Sequence, residues 1–145
     1  MKLVITRVLK ASVEVEGAQV SQIDSGLLIF VGFEEGDSEA DMATATYKVA
    51  HGRFFENEKG KPHYSAVEIK RPVLLVSQFT LCADLKEGRR PDFTKSMKAQ
   101  QASLFYEKFT RALQKEGLEV ACGVFGAYMK VSSINDGPFT LVWSS

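Results

Sequence analysis

Val73-Leu74-Leu75-Val76 is four consecutive aliphatic residues, followed by Ser77-Gln78-Phe79-Thr80-Leu81 with no turn residue between. An apolar run without alternation predicts a strand covered on both faces, because a half-exposed strand would turn polar at every second position. Only Leu27 to Phe33 is comparably apolar over such a length. If the extended conformation continues past Val76, Ser77 and Phe79 point to one face and Gln78 and Thr80 to the other, so polar groups sit at the mouth of a dry core. That is a place for chemistry. The same hydroxyls also suit plain hydrogen bonding to neighbouring backbone at a strand end.

The chain's 145 residues fit one domain, residues 1–145, with 45% hydrophobic and 25% charged residues, the balance of a globular protein. Eighteen basic residues are matched by eighteen acidic ones, so no global field draws nucleic acid or acidic lipid; a polyanion would need a local patch. Lys2 and Arg7 interrupt the first residues before an apolar signal core can form, and no run approaches membrane-spanning length. The expected location is the cytoplasm, with no membrane partner. Cys82 and Cys122 lie far apart, without metal-ligand spacing, and read as free thiols.

In order along the chain, Leu3 to Val8 and Ser12 to Val15 have strand composition, and Glu16-Gly17 turns into Gln19 to Ile23. After Ser25-Gly26 comes the apolar strand Leu27 to Phe33. Ser38 and Asp41 mark a helix start, and Met42, Ala45 or Thr46, Val49 and Ala50 give an inward stripe for a helix over 38–50. Arg53-Phe54-Phe55 is a short strand, and His63 to Lys70 shows no pattern. Lys86 to Lys98 is a polar loop with a basic edge. Ala102, Phe105, Phe109, Ala112 and Leu113 predict a helix from about Ala99 to Glu116, with Gly117 as its cap. The last forty residues read as a β-meander with glycine corners. Strands outnumber helices about four to one, which implies a curved, mostly antiparallel sheet with two helices packed on it, an α+β two-layer domain.

Familiar catalytic devices are missing. There is no phosphate loop, dinucleotide fingerprint or His/Cys metal spacing, so neither metal nor cofactor is expected. His51 and His63 lie far from Ser77 in sequence, and Glu34, Glu35 and Asp84 read as solvated loop charges. Asn135-Asp136-Gly137-Pro138, taken alone, is turn chemistry that could close a hairpin.

Ser77-Gln78-Phe79-Thr80-Leu81 together with Asn135-Asp136-Gly137-Pro138-Phe139-Thr140 resembles the two signature segments of the D-aminoacyl-tRNA deacylase family. Arg7-Val8 followed by Ala11-Ser12-Val13, Gly88-Arg89-Arg90-Pro91-Asp92-Phe93 and Gly123-Val124-Phe125-Gly126-Ala127-Tyr128-Met129 resemble further family segments in the same order. Pro62-His63, Lys70-Arg71-Pro72 and Cys82 depart from the usual pattern without removing a residue expected to act.

The resemblance implies a barrel-like fold and a homodimer that hydrolyses the ester of D-aminoacyl-tRNA, and of glycine mischarged on alanine tRNA. It further implies that a Gly137-cis-Pro138 segment reaches into the partner's pocket and rejects L substrates. In this reading the amides of Phe79 and Thr80, helped by the Gln78 side chain, hold the oxyanion. Thr80 could instead be the nucleophile, but no base is evident to activate it, so water attack assisted by the terminal 2′-hydroxyl is favoured. Ser77, Phe125, Ala127 and Met129 shape the pocket for the aminoacyl-adenosine. Arg89, Arg90 and Lys95 on the basic loop are expected at the tRNA backbone, and DNA is not an expected partner. A non-catalytic dimeric module binding RNA acceptor ends or nucleotides is the competing class, because backbone amides leave no side-chain signature.

Overall fold

β1 (Lys2–Val15) organises the sheet by lending both of its edges. On one side it pairs antiparallel with β2 (Ala18–Ile23) through residues 11–15 and with β3 (Gly26–Gly32) through residues 2–8. On the other side it pairs along most of its length with β8 (Lys130–Ser144). The two segments suggested by the sequence are thus one strand, kinked by a register slip between Val13 and Glu14. The structure, a computed structural model, describes residues 1–86 and 88–145. Between β3 and β8 run α1 (Glu39–His51), β4 (Arg53–Glu56), β5 (Pro62–Ser65), β6 (Val73–Ser77), a 3₁₀ turn at Phe79–Cys82, α2 (Ala99–Lys115) and β7 (Val120–Cys122).

β6 lies between β3 and β7, parallel to both, and this mixed segment curls with the antiparallel strands into a nearly closed barrel. The curl creates two cores. Ile5, Ile29 and Leu75 face the helices, where they meet Met42, Val49, Phe109 and Leu113. Leu28, Leu74 and Val76 face inward against Val8, Val13 and Ile23. Four aliphatics in succession are needed in β6 because each face of that strand is a core. Every fully buried side chain of this size contributes about 1.5–3 kcal/mol.

The helices form where local signals place them. At α1, Ser38 Oγ accepts from the Asp41 amide at 3.2 Å and Asp41 returns the bond to Ser38 N at 2.8 Å, a reciprocal cap that satisfies two otherwise orphaned donors. Met42, Ala45, Thr46, Val49 and Ala50 are all buried. On α2 the buried residues are Ala102, Tyr106, Phe109 and Leu113, and Phe105 packs at the flank. Gly117 ends it at φ +93°.

Four expectations are corrected. Part of the patternless stretch, Pro62–Ser65, is β5, which forms a separate hairpin with β4. The last forty residues are not a meander, since β7 joins β6 while β8 crosses to β1. Asn135 to Pro138 does not close a hairpin but lies within β8, at a slip in its register with β1 around Val8. Extended backbone stops at Ser77, so alternation of side chains does not carry on to Thr80.

Candidate active site

At the carboxyl ends of the parallel strands, where loops diverge and open clefts in sheets of this kind, lies a cavity of about 710 Å³. Ser77, Gln78 and Phe79 line it from the end of β6, Phe125, Ala127 and Met129 from the segment after β7, and Phe93, Ser96 and Met97 from the segment before α2. No charged side chain lines it among the described residues. The Phe79 and Phe93 rings meet at 5.1 Å, and Ser96 Oγ donates to the Phe79 carbonyl at 3.4 Å, so the basic loop and the strand end brace one another. Phe79 is nonetheless 59% exposed at the rim.

Main-chain hydrogen bonds explain the shape of this rim. Gln78 N–H donates to the Val31 carbonyl at 2.7 Å, which anchors the chain to β3 at the last point before it coils. The next two amides, of Phe79 and Thr80, begin the 3₁₀ turn and donate to no backbone carbonyl among the described residues. First-turn amides of a helix are orphaned by geometry, and they attract negative charge. The Thr80 side chain is exposed and does not line the cavity.

Behind the cavity, Tyr106 Oη donates to the Leu75 carbonyl at 2.7 Å, the acceptor also used by Gly123 N–H at 2.9 Å. Its ring stands 5.8 Å from that of Phe125. Burial pushes this hydroxyl's pKa far up, so it remains a proton donor. Tyr106 therefore ties the start of the Phe125 wall to β6.

Neither histidine lines the cavity: His51 meets Glu116 at 2.8 Å, and His63 packs edge-on against Tyr64. Cys82 is buried, its Sγ donating to the Phe33 carbonyl at 3.3 Å, and desolvation raises its pKa. It is a packing group held protonated. Arg89 and Arg90 are exposed on the loop. Lys95 is bound to Asp84 at 2.9 Å, a contact that lowers the carboxylate's pKa and raises the lysine's.

Gly137 and Pro138 are exposed and lie outside their own chain's cavity; the peptide between them is cis. The registers place this corner level with Arg7, hence with Leu27 and Val73, whereas the cavity begins at Val76. On β3 the lining residue is Phe30, three residues on from Leu27, and on β8 it is Val131, six residues before Gly137, so the corner lies roughly 10 Å or more along the strands from the cavity.

What holds the corner is Arg7, buried in a strand of aliphatic neighbours. Its Nε contacts Asp136 Oδ2 at 3.0 Å and the Asp136 carbonyl at 3.3 Å. Nη1 donates to the Phe54 carbonyl at 3.0 Å, and Nη2 to Glu56 Oε1 at 3.1 Å. The guanidinium also lies 5.1 Å from the centre of the Phe139 ring. In the sequence Arg7 belongs to the opening segment, and the signal for its role is that of a lone arginine inside an apolar strand, since such a charge must be paired when buried. Tyr106, Phe93 and Met97 carry no comparable signal in the sequence for a place at the site.

Residues 4–144 match the family model described as D-Tyr-tRNA(Tyr) deacylase. A D-aminoacyl-tRNA deacylase of Myxococcus xanthus is 46% identical, covering 100% of this chain and 95% of that protein. One from Aquifex aeolicus is 44% identical over 100% and 98% of the two chains. The solved structure titled c-Myc DNA Unwinding Element Binding Protein superposes with a TM-score of 0.93 at 38% identity, covering 100% of this chain and 99% of its own. A probable eukaryotic D-amino acid tRNA deacylase shares the fold at a TM-score of 0.85 and 16% identity, covering 98% of this chain and 97% of its own. With a family model matched from the first strand to the last, and relatives at 46% identity over its whole length, the chain belongs to the D-Tyr-tRNA(Tyr) deacylase family.

Proposed function

We propose that this chain is a homodimeric hydrolase that cleaves the ester between a D-amino acid, or glycine mischarged on alanine tRNA, and the 3′ end of tRNA. The observation that carries the reading is the Phe79 amide at the lip of an uncharged cavity, followed in the chain by the Thr80 amide, neither with a backbone hydrogen-bond partner among the described residues. They are donors fixed by the fold, suited to an oxygen that gains negative charge in the transition state. Gln78 adds a side-chain amide beside them.

Water adds to the ester carbonyl, the tetrahedral oxyanion is held by these donors, and the bond to the 3′ oxygen breaks. The 3′ oxygen recovers a proton, with the neighbouring 2′-hydroxyl assisting the transfer, and free tRNA and amino acid leave. Thr80 is not assigned the attack, since among the described residues its hydroxyl makes no hydrogen bond to a basic side chain. Ser77, Phe125, Ala127 and Met129 surround the aminoacyl-adenosine.

Selection by handedness is assigned to the partner's Gly137-Pro138 main chain. Carbonyls there accept from the substrate ammonium and fix its Cα, so an L side chain meets backbone while a D side chain points away. Glycine has no side chain to exclude. An intermolecular role is supported by the distance of the corner from its own cavity and by β8, which pairs on one edge only and carries exposed Ile134, Leu141 and Val142. Unpaired edges with apolar side chains seek a partner. Arg89 and Arg90 are placed on the tRNA backbone, with Lys95 beside them. Work in translation puts the enzyme in the cytoplasm.

The test is incubation with D-tyrosyl-tRNA, L-tyrosyl-tRNA and a small D-amino acid ester. Release from the D substrate alone among the two tRNAs is expected. Binding without release would favour a non-catalytic acceptor-end module, and equal release from both mirror forms would remove the handedness gate.

A further inference from the structure

The β4–β5 hairpin stands outside the main sheet, and the proposed chemistry gives its tip no role. Its base is bound to the Gly137 corner, because the Arg7 guanidinium that holds Asp136 also holds Phe54 and Glu56. Its tip is an ordered turn. Asn57 Oδ1 accepts from the amides of Lys59 at 3.0 Å and Lys61 at 3.2 Å, and Asn57 N–H donates to the Lys61 carbonyl at 2.9 Å. Lys59 and Lys61 are exposed and form no ion pair among the described residues, with Glu58 the one carboxylate between Asn57 and Lys61. His63 and Tyr64 meet at 4.7 Å just beyond, both exposed. Two lysines on a fixed turn next to aromatic rings suit a phosphodiester strand.

We infer that this hairpin binds phosphates of the tRNA acceptor stem, and does so in trans. It travels with the Gly137 corner to the partner's cavity and flanks the ester bound there. This rests on the dimeric deacylase reading above.

The double substitution Lys59→Glu/Lys61→Glu tests it. Affinity for deacylated tRNA should fall roughly 10-fold near 0.1 M salt, and the slope of log affinity against log salt should shrink by about 1.4–1.8, as expected for two lost phosphate contacts. Turnover of D-tyrosyl-tRNA should fall through KM. Lys59→Gln/Lys61→Gln gives the same change of slope and serves if the reversal prevents folding. Mixed dimers then decide the geometry: one protomer carries Ala127→Trp, which fills its cavity, and the other carries the hairpin reversal with its cavity open. Action in trans restores wild-type turnover per open cavity, because that cavity faces the intact hairpin. Persistent loss in the mixed dimer overturns the trans arrangement, and an unchanged affinity and salt slope overturn the hairpin contact altogether. Hairpin-dependent tRNA binding without hydrolysis of D-tyrosyl-tRNA would sink the deacylase reading while leaving this surface standing.

Discussion

Around the cavity, between Val76 and Val131, the walls are aromatic rings, methyl groups, small hydroxyls and main-chain amides. At the Gly137 corner, one guanidinium gathers two carboxylates, two carbonyls and an aromatic face. The first region has no charged side chain among the described residues, so its side chains can change without leaving a buried charge. The second is held by a buried cation, and loss of that ion leaves several acceptors without a partner. Substitutions should therefore separate rate from stability at the cavity and couple selectivity to stability at the corner.

The largest effect is expected from Gln78→Ala. Losing a side-chain donor to the oxyanion costs about 3 kcal/mol of barrier, or about 100-fold in kcat, while the thermal midpoint stays put. A midpoint that moved with the rate would break the contrast. Arg7→Met comes next, destabilising the fold by about 2–3 kcal/mol in urea titration. That is below the cost of about 3–5 kcal/mol typical of breaking fully buried pairs, because Glu56 and Asp136 remain 44% and 41% exposed. The same variant should begin to cleave L-tyrosyl-tRNA; undiminished stability or undiminished discrimination would each argue against the clamp.

Tyr106→Phe sharpens the comparison from behind the wall. It removes one bond to Leu75 O, whose other donor is Gly123, so about 1 kcal/mol of stability should be lost, with KM rising more than kcat falls. The smallest change belongs to Thr80→Ala, less than about 0.5 kcal/mol in either barrier or stability, as for an exposed side chain. Near-complete loss of hydrolysis by a folded Thr80→Ala enzyme would restore the hydroxyl as nucleophile.

The core was legible where a residue's fate depends on near neighbours in sequence. Leu74 and Leu75 declare two covered faces, Ser38 with Asp41 declares a helix start, and Gly117 a helix end. Part of the candidate site was legible too, as collinear segments: Ser77 to Phe79 and Phe125 to Met129 line one cavity. What escaped depends on distant partners. Asn135 to Pro138 looks like a turn because the reason it continues a strand is β1, some 130 residues earlier in the chain. Pro62–Ser65 is mostly exposed and so lacks the alternation that marks a half-buried strand. On α2 the buried stripe runs 102, 106, 109, 113, which centres Tyr106 and leaves Phe105 at its edge, a one-position difference in phase that apolar composition hides. Thr80 was misplaced relative to the wall because the backbone coils one residue after Ser77.

β1 is bonded along both edges, and β8 along one. In deuterated solvent, amides of β1 can exchange only when both cores come apart, so their protection should report the global unfolding free energy. Outward-facing amides of β8 have no such shelter within one protomer. Slow labelling along that strand, fading as the protein is diluted, would be a direct readout of the second subunit settling against it.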